Sequence, residues 1–435
     1  MRRWFSRSRR VFFRNHKVAL FSLILLCANS RAPMFRVTPV VSDYENYISA
    51  AQKCAAQKRA APGQPFLPRW APPARGYPPG AGWLLCAPLA LGAPIATYRR
   101  WFRVEMALFD FATLFAVTIA AMRMRPRSRF APMLAIGTYG VLGALIPGLL
   151  YNRFDLAIAL TVALGVLTLL RRNWLFLPIT VAGTLIKLVP AMFALPALGA
   201  WLGVRLASRR RNRMHWLLVA LAIALLATAC WWLLPDAIIV GVKRSIRMHI
   251  ERLVQIESVW ALPYVLSSLV GWHPFALTNH GSAEVRHCPR WFLLLAETVP
   301  FAALFACTIA FCRRGMGATR EVTSAVAARY VVLAYLSSVA LFLATQRVLS
   351  PQFIIWLLPV CAIWMAYQPS WRFAALALGI FVLTFVEFDL GYWEIVTLQS
   401  KPYLLALILR NVALVALLIH MLRRTGRMKL GSRSI

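Results

Sequence analysis

Asp43 is the first carboxylate of a chain that carries few of them. Tyr44 follows it directly and Tyr47 stands four residues on, a spacing that sets Asp43 and Tyr47 on one side of a short helix. A carboxylate held at a membrane surface can take a proton from a substrate hydroxyl, which makes Asp43 a candidate general base; the plainer readings are a solvated loop acid or a helix N-cap. Lys187 lies in an otherwise apolar run, Thr184 to Pro190. An ammonium there needs a partner or an anionic ligand, unless it snorkels to the surface. Ser245 to Trp260 mixes Arg247, His249, Glu251, Arg252, Gln255 and Glu257 with apolar residues at helical spacing, so it reads as an amphipathic helix in the membrane interface. A guanidinium in such a helix can grip a lipid phosphate bidentately; an internal Arg–Glu ladder accounts for the same residues. Arg347, just ahead of Ser350-Pro351-Gln352, joins two apolar runs and suits a phosphate contact or an interfacial anchor. His249 and Glu251 do not form the HExxH pattern of a zinc site, and the chain has no Walker loop or dinucleotide glycine fingerprint. No metal, cofactor or soluble nucleotide substrate is therefore expected.

Holding such groups at a bilayer surface falls to the rest of the chain. It has 435 residues, 60% of them hydrophobic, and apolar runs of helix length recur from end to end. That pattern predicts an all-α polytopic membrane protein, since only helices satisfy their own backbone in lipid without the alternation of a barrel. The net charge of +35 does not point to nucleic acid, because the basic residues fall in short clusters between apolar runs, where cytoplasmic loops meet anionic headgroups. The 14 acids are Asp43, Glu45, Glu105, Asp110, Asp155, Asp236, Glu251, Glu257, Glu284, Glu297, Glu321, Glu387, Asp389 and Glu394. With the basic clusters inside, most of them fall in the outer loops or near the outer helix ends.

The whole chain, 1–435, reads as one integral membrane domain. A basic tail (1–17) and the segment 422–435 are expected in the cytoplasm; 31–79 is a first outer loop and 235–290 a long outer segment. The basic start and short apolar run 18–29 have the look of a signal peptide, but an uncleaved first helix is the preferred reading. Further helices are expected at about 104–122, 131–150, 156–170, 174–189, 190–204, 216–234, 291–311, 327–345, 352–366, 372–388 and 404–421. The proline-bearing run 80–98 either spans or lies re-entrant, so the count is about 12, with a range of roughly 10 to 13. No internal repeat is evident. Of the 8 cysteines, Cys54 and Cys288 fall in outer loops and can pair in an oxidising compartment; Cys86 and the rest read as packing residues.

These landmarks together resemble polyprenol-phosphate-sugar-dependent membrane glycosyltransferases of the GT-C superfamily, and within it glycosyltransferase family 87. The likeness runs from Ser42-Asp43 with Tyr47, through Tyr77-Pro78-Pro79-Gly80-Ala81, Arg153-Phe154-Asp155 and Lys187 with Pro190, to His249, Glu251-Arg252, Gln255-Ile256-Glu257-Ser258, Val348-Leu349-Ser350-Pro351-Gln352 with Trp356, and Arg410-Asn411. The resemblance implies a GT-C-like fold in the bacterial inner membrane with its site facing the periplasm or exterior. It implies transfer of a mannose-like sugar from a polyprenyl phosphate to a hydroxyl of a lipid-linked or exported glycan, with inversion and Asp43 as base. Lys187, Arg252, Arg347, Arg153 and Arg247 would hold the donor phosphate, and Tyr47, Tyr77, His249, Glu251, Glu257 and Gln352 would contact substrate. Gly76 stands where the family often has an acid. A transporter or flippase of lipid-linked sugars, or a non-catalytic relative, is the alternative.

Overall fold

An apolar chain in lipid must bond its own backbone, and helices account for nearly all of the described molecule. The computed structural model describes residues 20–37, 44–60, 77–171, 175–208, 236–272, 274–277, 283–318, 322–398 and 400–430. Asp43, Gly76, the basic stretch 1–17 and the expected helix at 216–234 lie outside them. The helices are α1 (20–31), α2 (Tyr44–Ala60), α3 (Pro79–Ala90), α4 (Tyr98–Met124), α5 (Phe130–Ala144), α6 (Pro147–Leu150), α7 (Asp155–Arg171), α8 (Phe176–Ile186) and α9 (Val189–Ser208). They continue as α10 (Asp236–Glu251), α11 (Leu262–Leu269), α12 (Arg290–Met316), α13 (Ser324–Thr345), α14 (Leu357–Tyr367), α15 (Trp371–Phe385), α16 (Tyr392–Val396) and α17 (Lys401–Gly426). A short hairpin, β1 (Phe275–Leu277) and β2 (Ala283–Val285), pairs antiparallel with Phe275 opposite Val285.

Among the described residues 6 helices are long and apolar enough to cross a membrane: Ile95–Met124, Val189–Ala207, Arg290–Met316, Ser324–Thr345, Trp371–Leu390 and Lys401–Gly426. The chain is thus an all-α, membrane-embedded protein. Other apolar runs are broken by sequence-specific stops. Pro147 ends the expected helix 131–150 early, so that α5 gives way to the single turn α6. Lys187 stands in extended backbone between α8 and α9. Ser350-Pro351 opens a 3-10 turn, Pro351–Trp356, ahead of α14, and α15 runs into a π turn, Val386–Leu390. α3 is 12 residues long, about 18 Å against the ~30 Å of a hydrocarbon core, too short to cross alone.

α13 is the axis of the bundle. It packs on α7, α9, α12 and α17, and its most apolar window is 83% buried, against 17% for the lipid-facing α12. α14 lies against α4 and α5. One fully buried polar knot ties α1 to α4 and α5. Arg31 Nε meets Asp110 Oδ2 at 3.2 Å, and Asp110 accepts from Tyr139 (2.6 Å) and Tyr151 (2.8 Å). Arg31, expected at the start of the outer loop, is therefore inside the bundle.

Two further expectations are corrected. Cys54 pairs with Cys86, not Cys288, because α2 packs along α3 and brings the two Cα atoms to 6.1 Å; Cys288 lies beside the Tyr264 hydroxyl instead. The amphipathic helix does not reach Trp260. It stops at Glu251, where Arg347 takes the carbonyls of His249 and Ile250 (2.8 and 3.1 Å). The chain then runs extended along the hairpin, Ile256 N–H donating to Ala283 and Val285 N–H to Val254.

The two ends of the bundle differ in charge. Arg123, Arg171 and Arg329 meet at one end, where Arg314 also donates to the Met428 carbonyl. Asp155, Glu257, Glu284, Glu297 and Glu387 lie at the other.

Candidate functional site

Three helix breaks converge at the acid-bearing end. Asp155 is the first residue of α7, where a carboxylate is favoured by the helix dipole. Lys187 sits in the break between α8 and α9, and Trp356 closes the 3-10 turn ahead of α14. Lys187 Nζ lies 2.8 Å from Asp155 Oδ1, which also accepts from Trp356 Nε1 at 2.9 Å. All three are buried. Rings enclose the ammonium, with the Phe353 centroid 4.0 Å, Trp356 4.9 Å and Phe154 5.5 Å away, distances at which cation–π attraction acts. Gly80 lets α3 come this close to the end of α8, since a Cβ there would stand 2.6 Å from the Leu185 carbonyl oxygen.

α2 and the residues leading into α3 reach the same place. Tyr77 packs edge-on against Phe154 at 4.9 Å, and buried Tyr47, from the first turn of α2, lies 5.7 Å from the same ring. Arg153 and Gln352 are buried in the turns that carry Phe154 and Phe353.

The segment after α10 supplies the second group. Arg252 pairs with Glu284 at 3.2 Å, and Glu284 also accepts from the Leu253 N–H at 3.0 Å. Arg347, besides capping α10, meets Glu297 at 2.7 Å. His249, whose carbonyl accepts from Arg347, lies in the last turn of α10, just ahead of Arg252. Burial first, then the charges of Arg252, Lys187 and Arg347, push its imidazole down to about 4, so it is neutral at pH 7. The charges of Lys187, Arg252 and Arg347 all bear on this one side chain. Arg247 and Glu251 are not: they pair with each other at 2.7 Å on the exposed face of α10.

A third group lies behind the second. Arg410 of α17 donates to the Glu257 carbonyl at 2.8 Å and to Glu387 at 3.2 Å, while Asn411 donates to the Ser258 carbonyl at 3.2 Å. The Glu257 carboxyl is pushed up to about 8, by burial first and then by the Glu387 charge, against the opposing pull of Arg410 and Arg252. Among the described residues, both its oxygens, and Nε and Nη1 of Arg410, are buried and make no hydrogen bond to another residue. Such a set suits hydroxyl groups, which donate to a carboxyl and accept from a guanidinium. Among the described residues no three His, Cys, Asp or Glu side chains converge as metal ligands.

Sequence reasoning missed Glu284, Glu297 and Glu387 as partners of the cations, and Asp155 as the partner of Lys187. The available signal was scarcity: a carboxylate inside an apolar run, such as Glu387 between Phe381 and Phe388, is rarely left unpaired. The chain matches no protein-family model, no curated protein and no solved structure.

Proposed function

We propose that the protein is a membrane glycosyltransferase that moves a sugar, mannose-like by the family resemblance, from a polyprenyl phosphate to an acceptor hydroxyl. The observation that carries this is the set of three carboxylate-paired cations, Lys187, Arg252 and Arg347, at one end of a lipid-embedded bundle. Each cation is oriented by a carboxylate, as Asp155, Glu284 and Glu297 do here. A phosphate leaving group gathers charge as the anomeric bond breaks, and oriented cations stabilise that charge. The acceptor hydroxyl attacks the anomeric carbon from the opposite face and gives its proton to Asp43, so configuration inverts. Asp43 lies outside the described residues, but Tyr47, four residues on in the sequence, packs on Phe154 next to Asp155. Glu257, Arg410 and Asn411 offer sugar hydroxyls a buried set of donors and acceptors.

In the same reading about 12 spans put both termini in the cytoplasm, and the acid-bearing end faces the exterior of a bacterial inner membrane. The Cys54–Cys86 disulfide at that end fits an oxidising compartment. Purified protein given labelled polyprenyl-phosphate mannose and a lipid-linked glycan acceptor tests the proposal. Transfer lost in Asp43→Asn, with folding intact, is the expected result. Unchanged transfer in that variant removes Asp43 as base, and translocation of the lipid without transfer makes the protein a flippase.

A further inference from the structure

The basic end of the bundle holds a cavity of about 650 Å³ between α4, α7 and α13. Arg123 reaches it from the last turn of α4, Arg171 from the end of α7 and Arg329 from the second turn of α13. Ile119, Met122 and Leu170 form apolar walls beside them. Among the described residues none of the three arginines has a carboxylate within ion-pair distance, and Arg329 lies over the Tyr367 ring, 6.0 Å away. This is the reverse of the acid-bearing end, where Lys187, Arg252 and Arg347 each have a carboxylate.

We infer that this cavity is a binding site for the phosphate of an anionic phospholipid, with the glycerol and upper acyl chain against Ile119, Met122 and Leu170. Three guanidinium groups from three helices in one hollow repel one another unless an anion joins them, and a phosphate diester accepts their N–H groups in pairs. The apolar walls decide between sources of phosphate. Met122 is 42% exposed on the outer surface of α4, so the cavity continues onto the lipid-facing side of the bundle, where a soluble phosphate ester gains nothing. A lipid headgroup near the surface gains roughly 1 kcal/mol per basic residue, and its chain buries against the wall as well. The site is independent of the glycosyl-transfer reading: it sits at the opposite end of the molecule and uses none of the same residues.

The test is thermal unfolding of the full chain in nanodiscs of phosphatidylcholine, with and without phosphatidylglycerol, paired with native mass spectrometry of lipid retained after detergent extraction. Phosphatidylglycerol is expected to raise the midpoint and to remain bound as one molecule per chain. Arg123→Gln combined with Arg329→Gln is expected to abolish both effects, while Arg313→Gln, at the same end but outside the cavity, leaves them intact. Ala325→Trp fills the cavity and keeps every charge, so it serves if the arginine variants do not fold, and it too is expected to lose the retained lipid. Equal midpoints in the two nanodiscs overturn the inference, as does equal loss in Arg313→Gln, which would mean diffuse attraction. A midpoint shift from inorganic phosphate in pure phosphatidylcholine, matching that from phosphatidylglycerol, overturns the lipid as ligand.

Discussion

The two ends of the bundle solve the same problem in opposite ways. Both collect cations where helices stop. At the acid-bearing end Lys187, Arg252, Arg347 and Arg410 are each matched to a carboxylate of the chain, Asp155, Glu284, Glu297 and Glu387. At the basic end Arg123, Arg171 and Arg329 surround a cavity with no such match among the described residues. Carboxylates are scarce in this sequence, 14 against 49 lysines and arginines, and the four that hold Lys187, Arg252, Arg347 and Arg410 all lie at one end. Internal pairing fixes a cation in position, which is what a site acting on a charged leaving group needs. Cations left to solvent and lipid set orientation in the membrane and can wait for an anion from outside.

The largest expected effect is at the Lys187–Asp155 pair. Breaking a buried pair by removing one partner leaves the other charge uncompensated and costs about 3–5 kcal/mol. Lys187→Met and Asp155→Asn are each expected to lower unfolding stability in detergent by that order, and the double variant by less than the sum. Additive losses would mean that the two side chains do not act as a pair.

The Cys54–Cys86 disulfide sharpens the contrast by redox state. It closes a segment of 32 residues, for which loop-closure entropy gives a ceiling of roughly 3–4 kcal/mol. Reduction, or Cys54→Ser, is expected to loosen α2 from α3 and to expose residues near Tyr47 to proteolysis, while the basic end, whose described cysteine Cys312 is a free thiol, keeps its protection. Equal loosening at both ends would show that the bundle unfolds as one unit and that the disulfide has no local role.

Much of this division was legible beforehand. Apolar run lengths predict an all-α membrane protein, and Arg123, Arg313, Arg423 and their neighbours sit at helix ends as expected of loop-flanking clusters. Lys187, Arg252, Arg347 and His249 stand out by residue type, and the fold gives each of the three cations a carboxylate and joins Arg347 to the His249 carbonyl. Their partners were not legible, because Asp155 and Lys187, or Arg347 and Glu297, are distant in sequence and meet only through packing. Helical spacing also misled at Arg252. The period of an amphipathic helix continues through Glu257, but the backbone leaves the helix at Glu251 because hairpin carbonyls and Arg347 offer it other partners. Cys86 looked like packing for the same reason: a cysteine in an apolar run reveals its partner only once α2 lies along α3.

Two titrations of opposite sign come next, both confined to the acid-bearing end. His249 is held neutral down to about 4, below its ordinary value of 6.5. The unfolded chain binds that proton first, so the stability tied to His249 is present above pH 6.5 and is lost as pH falls toward 4. Glu257 is held protonated up to about 8, above its ordinary 4.5. Its contribution is present below pH 4.5 and declines as pH rises through 8. Between pH 4.5 and 6.5 the two slopes oppose each other, and from 6.5 to 8 Glu257 contributes a decline worth roughly 2 kcal/mol over that interval. In Glu257→Gln the decline above pH 6.5 is expected to become shallower by that amount, while the fall toward acid remains. An unchanged slope above pH 6.5 would mean that Glu257 is not the group being titrated.

The smallest effect belongs to the basic end, and its smallness is the point. Arg171 shares a cavity with Arg123 and Arg329 and has no carboxylate among the described residues. In a zwitterionic bilayer Arg171→Gln removes like-charge repulsion and no ion pair, so unfolding stability is expected to stay within about 0.5 kcal/mol of the parent or to rise slightly. Arg347→Gln at the other end, losing Glu297 and two helix-end carbonyls together, is expected to cost several times more. If the two substitutions prove equally harmful in phosphatidylcholine alone, Arg171 is held by a partner of the protein's own. The difference between the ends would then be one of composition and not of how each end holds its charge.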